Sequence, residues 1–337
     1  MYKIILLLNF VNSFILINSL KLDFFNHWIC IGITQDIKFN KPYKINIGDL
    51  PLVVWKKNNK ILTSINICKH MASKLDNGII TNSGNLKCQY HGLEYTEKDI
   101  FGETMEHEGK IFWSLNPKNK KPYNVPFFNN PNFKKSFIEI DMNCDFKDSV
   151  YNTMDLLHPE YVHNKIVGFG NKIAPSNIIN YNINNETLGL SFDYRSNKLM
   201  QTINDNSVET KNFHMFHYPC FSWSKVSFNK NKHLIIGVNL LPLESGKTRW
   251  YITICHNYFI SFLQEKMIKL MAITILNQDY IQMKNQYYDN QLKSEIIFNF
   301  LFENEKSILY LKEMMKDYQY PNINLITDLY KSHKNKL

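Results

Sequence analysis

Up to about residue 115 the chain alternates apolar and polar positions in short runs, around Val53–Trp55, Ile61–Ile67, Leu86–Cys88 and Ile111–Trp113. A period of two sends successive side chains to opposite faces of an extended strand, so this part is expected to be an all-β module. Pro117, Pro122, Pro126 and Pro131, set among Asn and Lys, carry neither a helical nor a strand period, and residues 117–132 read as a linker. Beyond it, a helical stretch holding Asn152 to His163 precedes extended segments at Ile178–Ile183, Leu188–Tyr194, His233–Pro242 and Arg249–Cys255. Two helices follow, near 258–287 and 293–317. In the first, Phe259, Ile260, Leu263, Met267, Leu270, Met271, Thr274 and Leu276 recur at roughly helical spacing. The expected class is α+β: an all-β domain over 26–116, then a domain over 133–337 in which an antiparallel sheet grips a long helix above a pocket. At 337 residues the chain is long enough for two cores.

The β module contains two clips of metal-ligand character, Cys68-Lys-His70 and Cys88-Gln-Tyr90-His91, joined by a segment from Met71 to Lys87 that includes Gly78 and Gly84. Thiolate and imidazole together hold either a tetrahedral zinc ion or a two-iron cluster in which two Cys bind one iron and two His the other. A structural zinc ribbon stays open at this point. The second stretch reads Asp155-Leu-Leu-His158-Pro-Glu-Tyr-Val-His163. Two imidazoles and a carboxylate form a facial set that leaves positions on an iron open. In an unbroken helix His158 and His163 would diverge, so Pro159 is expected to break the helix at His158–Pro159 and turn both rings toward one ion. The plainer alternative is two unrelated histidines at a helix end. Asp279, which follows the apolar run of the long helix, is the expected third ligand, because a carboxylate aligned with an apolar face is costly unless paired or metal-bound. Asp289 and Glu265 are the alternatives.

The clip residues resemble the Rieske oxygenases. Leu86-Lys-Cys88-Gln-Tyr90-His91-Gly92-Leu-Glu-Tyr95, with Leu75, Gly78, Ile80 and Gly84, is similar to the pheophorbide a oxygenase branch; Lys69, Met71, Gln89 and Leu93 depart from its usual residues. Asp155, His158 and His163 match that family's mononuclear iron motif, and Gln278 stands where the family has Glu, with Gln286 at the family's distance. Leu241 to Arg249 is similar to a hairpin of the same branch, so the resemblance covers roughly 26–290. It implies a [2Fe-2S] cluster on Cys68, His70, Cys88 and His91, and a mononuclear Fe(II) on His158, His163 and Asp279. Asn152 would lie near that iron. Asp155 would bridge His158 to a cluster histidine of a neighbouring subunit, which requires a head-to-tail ring, a homotrimer. The implied activity is O2-dependent monooxygenation of a hydrophobic substrate, tetrapyrrole or sterol-like, fed by an external reductase or ferredoxin. Two other classes stay in view: an electron-transfer protein with an inactive second domain, and a zinc-stabilised interaction protein.

Lys and Arg number 39 against 30 Asp and Glu, a net charge of +9, but the lysines are scattered among Asn without a basic stripe, and nucleic acid is not an expected partner. A basic face would suit an acidic electron donor. With two of six cysteines assigned to the cluster and the others widely spaced, the chain fits a reducing compartment. No nucleophile elbow, phosphate-binding loop or dinucleotide fingerprint occurs. Ile4 to Leu20 is mostly apolar between Lys3 and Lys21. Residues 1–25 are therefore expected to anchor or target the chain, with the catalytic part facing cytosol or plastid stroma; a buried helix in a soluble cytoplasmic protein is the alternative. His214 and His217 are candidates to line the pocket.

Overall fold

The computed structural model describes residues 23–38, 40–163, 176–194, 210–227, 231–258, 262–285 and 306–334. The hydrophobic stretch 4–20, Gln286, Asp289 and the first part of the helix expected at 293–317 lie outside them. No described helix is long and apolar enough to cross a membrane. Asp23–Asn26, the end of the segment expected to anchor or target, is a short 3-10 turn whose Phe24 and Phe25 are buried. The chain forms two compact units, Met1–Pro122 with Pro242–Ser245 and Lys316–Leu337, and Tyr123–Leu241 with Gly246–Met315.

Among its described residues the first unit is β-structured, with short 3-10 turns, apart from its C-terminal segment. Three three-stranded sheets run β1(Ile29–Ile33)-β9(Lys110–Ser114)-β8(Glu103–His107), β2(Tyr43–Ile47)-β3(Leu50–Lys57)-β4(Lys60–Ile65) and β5(Ile79–Ile80)-β6(Leu86–Lys87)-β7(Glu94–Tyr95). Around Val53 and Ile111 the expected alternation gives way to burial on both faces, since Val54 and Phe112 are buried along with Val53, Trp55, Ile111 and Trp113. Trp55, Leu75, Leu86 and Tyr95 pack into one cluster that also contains Cys68 and Cys88, so core and clips form together. The expected division placed everything beyond 133 in the second domain, whereas residues 316–337 belong to this first unit. Tyr318 packs edge-on against Phe24 at 5.4 Å, Tyr320 donates to Asp49 at 3.3 Å, and the other Asp49 carboxylate oxygen accepts from Ile323 N at the start of the helix Ile323–Lys334. Gly48 permits this return. Its φ is +58°, and a Cβ there would lie 2.6 Å from the Pro321 carbonyl oxygen. Gly48→Ala is expected to destabilise the first unit by about 1–3 kcal/mol, read as a lowered midpoint in denaturant melts.

The Pro-rich stretch is held along its length. Asn119 O accepts the Trp28 indole N–H at 2.8 Å in the first unit, and Val125 is buried with Phe133, Phe221, Ile235 and Cys255 in the second.

The second unit is built on one seven-stranded sheet in the order β10(Lys134–Met142)-β16(Thr248–His256)-β15(His233–Pro242)-β14(Phe221–Ser227)-β13(Thr210–His217)-β12(Thr187–Tyr194)-β11(Ser176–Asn184). Its helices are α1(Phe146–Met154), α2(His158–Val162), α3(Phe262–Lys284) and α4(Lys306–Met314). Residues opposite one another in antiparallel strands share a face. By that register Phe221, Ile235 and Cys255 face Val125 and Phe133. The other face carries Trp250, whose indole donates to Ser149 Oγ on α1 at 3.0 Å. α1 packs on β13, α3 on β10 and α2, and α4 on β11 and β12. This is the expected helix-grip arrangement.

The long helix differs from its expected orientation. Met267 and Leu270, taken as part of the apolar repeat, are 55% and 65% exposed, while Leu276, Asp279 and Met283 form the buried stripe. The expected repeat thus divides: Leu276 lies in the buried stripe, while Met267 and Leu270 lie on the exposed side.

Candidate functional site

Each clip sits in a loop of the same design. Cys68 N donates to Ser73 O and Ala72 N to Cys68 O; Cys88 N donates to Leu93 O and Gly92 N to Cys88 O. Ala72 and Gly92 take equivalent positions with φ of 56° and 77°, so each chain reverses sharply behind its cysteine. The loops bury both sulfurs and leave both imidazoles exposed, with the His70 and His91 rings 4.7 Å apart. Burial opposes ionisation of the Cys68 thiol. The backbone N–H groups of His70 and Met71, the Tyr95 hydroxyl and Cys88 outweigh it, and the thiol is shifted toward thiolate. A pair of buried sulfurs and a separate pair of exposed imidazoles suits a cluster with different ligands on its two irons. A single tetrahedral ion would gather all four donors, yet these residues contribute no three donor atoms within 4.8 Å of one another.

Tyr95 was not singled out from the sequence as functional. Its hydroxyl accepts from Lys69 N at 2.6 Å and bonds the Cys68 sulfur, and burial pushes its own ionisation far up. An aromatic residue with a polar tip, on the strand directly after the second clip, was the signal available. Hydrogen bonds to cluster sulfurs favour the electron-rich reduced form. Tyr95→Phe is therefore expected to lower the cluster potential by roughly 30–60 mV, the one-electron equivalent of one modest hydrogen bond, measurable by potentiometric titration followed by EPR.

In the second unit, His158, His163 and Asp279 converge, their ligand atoms lying within 4.8 Å of one another. His163 Nε2 is 3.2 Å and His158 Nε2 3.6 Å from Asp279 Oδ1, and the two rings stand at 78°. The helix break that allows this falls earlier than expected. α1 ends at Met154, and Asp155 Oδ1 accepts from Leu157 N at 2.8 Å and His158 N at 3.3 Å, starting α2 at His158 itself. Pro159 then sits in the first turn, where no N–H is needed. His158 heads the short helix and His163 caps its end, which turns both rings inward.

The remote ring nitrogens are held: His158 Nδ1 lies 3.1 Å from Asp155 O, and His163 Nδ1 2.9 Å from Gln278 Oε1. This leaves both Nε2 atoms for an ion, the arrangement by which ligand histidines are oriented. Asp279 is only 5% exposed and its Oδ1 makes no hydrogen bond, a buried acceptor that a cation would complete. Burial, together with His163, holds His158 below the usual imidazole range despite Asp155 and Asp279. His163 is also disfavoured by burial, but Asp279 and Gln278 raise it on balance. The residues present thus fit a mononuclear iron with a 2-His-1-carboxylate set.

Asn152 lies in the last turn of α1, and its side chain makes no hydrogen bond among the described residues. Glu265 falls in α3 three to four turns before Asp279. The two histidines suggested for the pocket part company. Three residues apart on β13, they point to opposite faces: His214 toward α1, His217 away, stacked on Tyr123 at 4.0 Å.

These features define a protein with a Rieske [2Fe-2S] domain joined to a helix-grip unit that carries a 2-His-1-carboxylate group, the fold of the Rieske oxygenases. Residues 27–109 match the Rieske [2Fe-2S] domain family. Pheophorbide a oxygenase from Oryza sativa subsp. japonica is 21% identical over 276 residues, covering 69% of this chain and 50% of that protein. The oxygenase component of dicamba O-demethylase from Stenotrophomonas maltophilia is 27% identical over 164 residues, 41% of this chain and 47% of its own. The chain spans about half the length of these curated relatives. Among solved structures, dicamba monooxygenase bound to dicamba superposes with a TM-score of 0.73 at 15% identity, over 87% of this chain and 97% of the other. Pseudomonas putida CBB5 NdmA with caffeine gives 0.70 at 15% identity, over 86% and 89%. The expected resemblance and the α+β fold class are borne out.

Proposed function

We propose that the protein is a Rieske non-haem iron monooxygenase acting on a hydrophobic, ring-containing substrate. The observation that carries this is the convergence of His158, His163 and Asp279, with a buried carboxylate oxygen that accepts no hydrogen bond, in a chain that also contains a Rieske domain. When bound, the [2Fe-2S] cluster supplies single electrons and the ferrous ion supplies O2 activation. Cys68, His70, Cys88 and His91 hold the first; His158, His163 and Asp279 hold the second. Asp155 and Gln278 fix the two imidazoles through their remote nitrogens, so that neither ring rotates during turnover. Asn152, one turn before Asp155, is assigned a place beside the iron.

The assembly is a homotrimer in which Asp155 connects His158 to an exposed cluster histidine of the next subunit. Supporting this, the Asp155 side chain is 35% exposed while bonded to His158, and His70 and His91 face outward. Met267, Leu270 and Ile281 give α3 an exposed apolar side that a neighbouring subunit would cover. Electrons come from an external reductase or ferredoxin. Ring substrates are favoured because similar proteins are named for pheophorbide a, dicamba and a flavonoid. Tetrapyrrole and sterol-like rings belong to this class, and the chloroplastic relatives favour a plastid location with the catalytic part in the stroma. The test is metal analysis of anaerobically purified protein with EPR after reduction. About three irons per chain and a Rieske-type signal are expected, with substrate-dependent O2 uptake when a reductase is added. Zinc in place of iron, or two irons and no O2 uptake, overturns the assignment.

A further inference from the structure

On the helix side of the second unit's sheet, the imidazole of His214 takes no part in holding the fold or the iron ligands. β13 sets it opposite Leu190 on β12 and Ser224 on β14. α1, the helix that leads to Asp155 and His158, packs on that strand. Phe192 meets the ring edge-on at 5.1 Å and 76°, which fixes its plane. Nδ1 is sealed from solvent without a hydrogen-bond partner among the described residues. Leu190, Phe192, Phe216 and Ile236 make the surrounding wall of this face largely apolar, with Asn212, Ser222 and Ser224 as its polar members. An unpartnered polar nitrogen in an apolar wall is unfavourable for folding and is expected where a ligand completes it. A neutral imidazole carries one donor and one acceptor, a match for a hydroxyl or carbonyl oxygen.

We propose that His214 is a specificity-determining residue: it hydrogen-bonds an uncharged hydroxyl or carbonyl oxygen on an otherwise apolar ring substrate, and so selects which part of that ring faces His158, His163 and Asp279. This rests on the monooxygenase reading above. A site built to bond one oxygen discriminates against the analogue that lacks it, because its own polar atom is then left unpaired.

The probes are 1-naphthol and naphthalene, equal in ring shape and different by one hydroxyl, titrated by fluorescence into the full iron-loaded protein without O2. Wild type is expected to bind 1-naphthol about tenfold tighter, the effect of one hydrogen bond. His214→Phe should bind both alike while keeping its naphthalene affinity within about twofold, and His214→Gln, which retains a donor and an acceptor, should restore part of the preference. No preference in wild type, or an undiminished one in His214→Phe, overturns the proposal. Should the Phe variant unfold, loss of preference without loss of naphthalene binding in a His214→Ala variant reads the same quantity. Iron analysis of the same samples separates the two readings. A hydroxyl preference that depends on His214 in protein with only the two cluster irons leaves this assignment standing and sinks the monooxygenase reading. A full iron complement with no preference sinks only the role of His214.

Discussion

Replacing His158 with alanine is expected to leave the visible absorbance and EPR signal of the Rieske centre intact, while iron falls from about three to about two per chain and turnover drops by more than ~10²-fold. The reason lies in how the three ligands are supported. Asp279 is buried with its Oδ1 unpartnered, and His163 is already committed through Nδ1 to Gln278, so neither can reposition to replace a lost ligand. Asp155 would also lose the ring whose Nδ1 its carbonyl holds. Because the cluster clips lie in the other compact unit, their chemistry should not register the change. Metal analysis and O2 uptake on the same preparation check this. Undiminished oxygen insertion in the variant would show that the iron site lies elsewhere.

The second large effect is expected at Cys88. A serine there should give a protein with most of its colour, Rieske signal and turnover lost, since an alcohol is a much weaker iron ligand than a thiolate at neutral pH. The loss should extend to stability. Cys88 is 2% exposed and packs in the cluster formed by Trp55, Leu75, Leu86 and Tyr95, so an unliganded hydroxyl would be buried among apolar side chains at a cost of about 1–3 kcal/mol, beyond the lost cluster-binding energy. A thermal melt read by tryptophan fluorescence should show the first unit softening, because Trp55 borders the site. Retention of full colour would remove Cys88 from the ligand set.

What was legible in the sequence followed from how local each constraint is. The clips were readable because two thiols and two imidazoles must sit within a few residues of a tight turn, and Gly92 marks that turn. At the equivalent place Ala72 adopts a positive φ of 56°, which no residue type announced. The His158–His163 pair was readable from spacing, but the position of the helix break was not. Proline drew attention to itself, while the side chain that ends α1 and starts α2 is Asp155, through a carboxylate that bonds two backbone N–H groups. Asp279, chosen by its place after an apolar run, converges with the two histidines, yet the run itself divides between buried Leu276 and exposed Met267 and Leu270, because periodicity reports a stripe without saying what it meets. His214 and His217 looked alike as neighbours in a string. A strand's alternation sends one toward the iron ligands and the other onto Tyr123.

The closure of Gly48 and Asp49 against Pro321 and Ile323 joins residues as far as 274 positions apart. During synthesis the segment that carries Tyr320 and Ile323 must leave the ribosome before that turn of the iron-sulfur module can be completed. A fragment cut to residues 27–109 would therefore leave Asp49 without the tyrosine and the helix start that it binds. Domain-swapping or truncation experiments on this protein would do better to carry the Tyr320–Ile323 segment together with the matched segment than to follow the borders of the match alone.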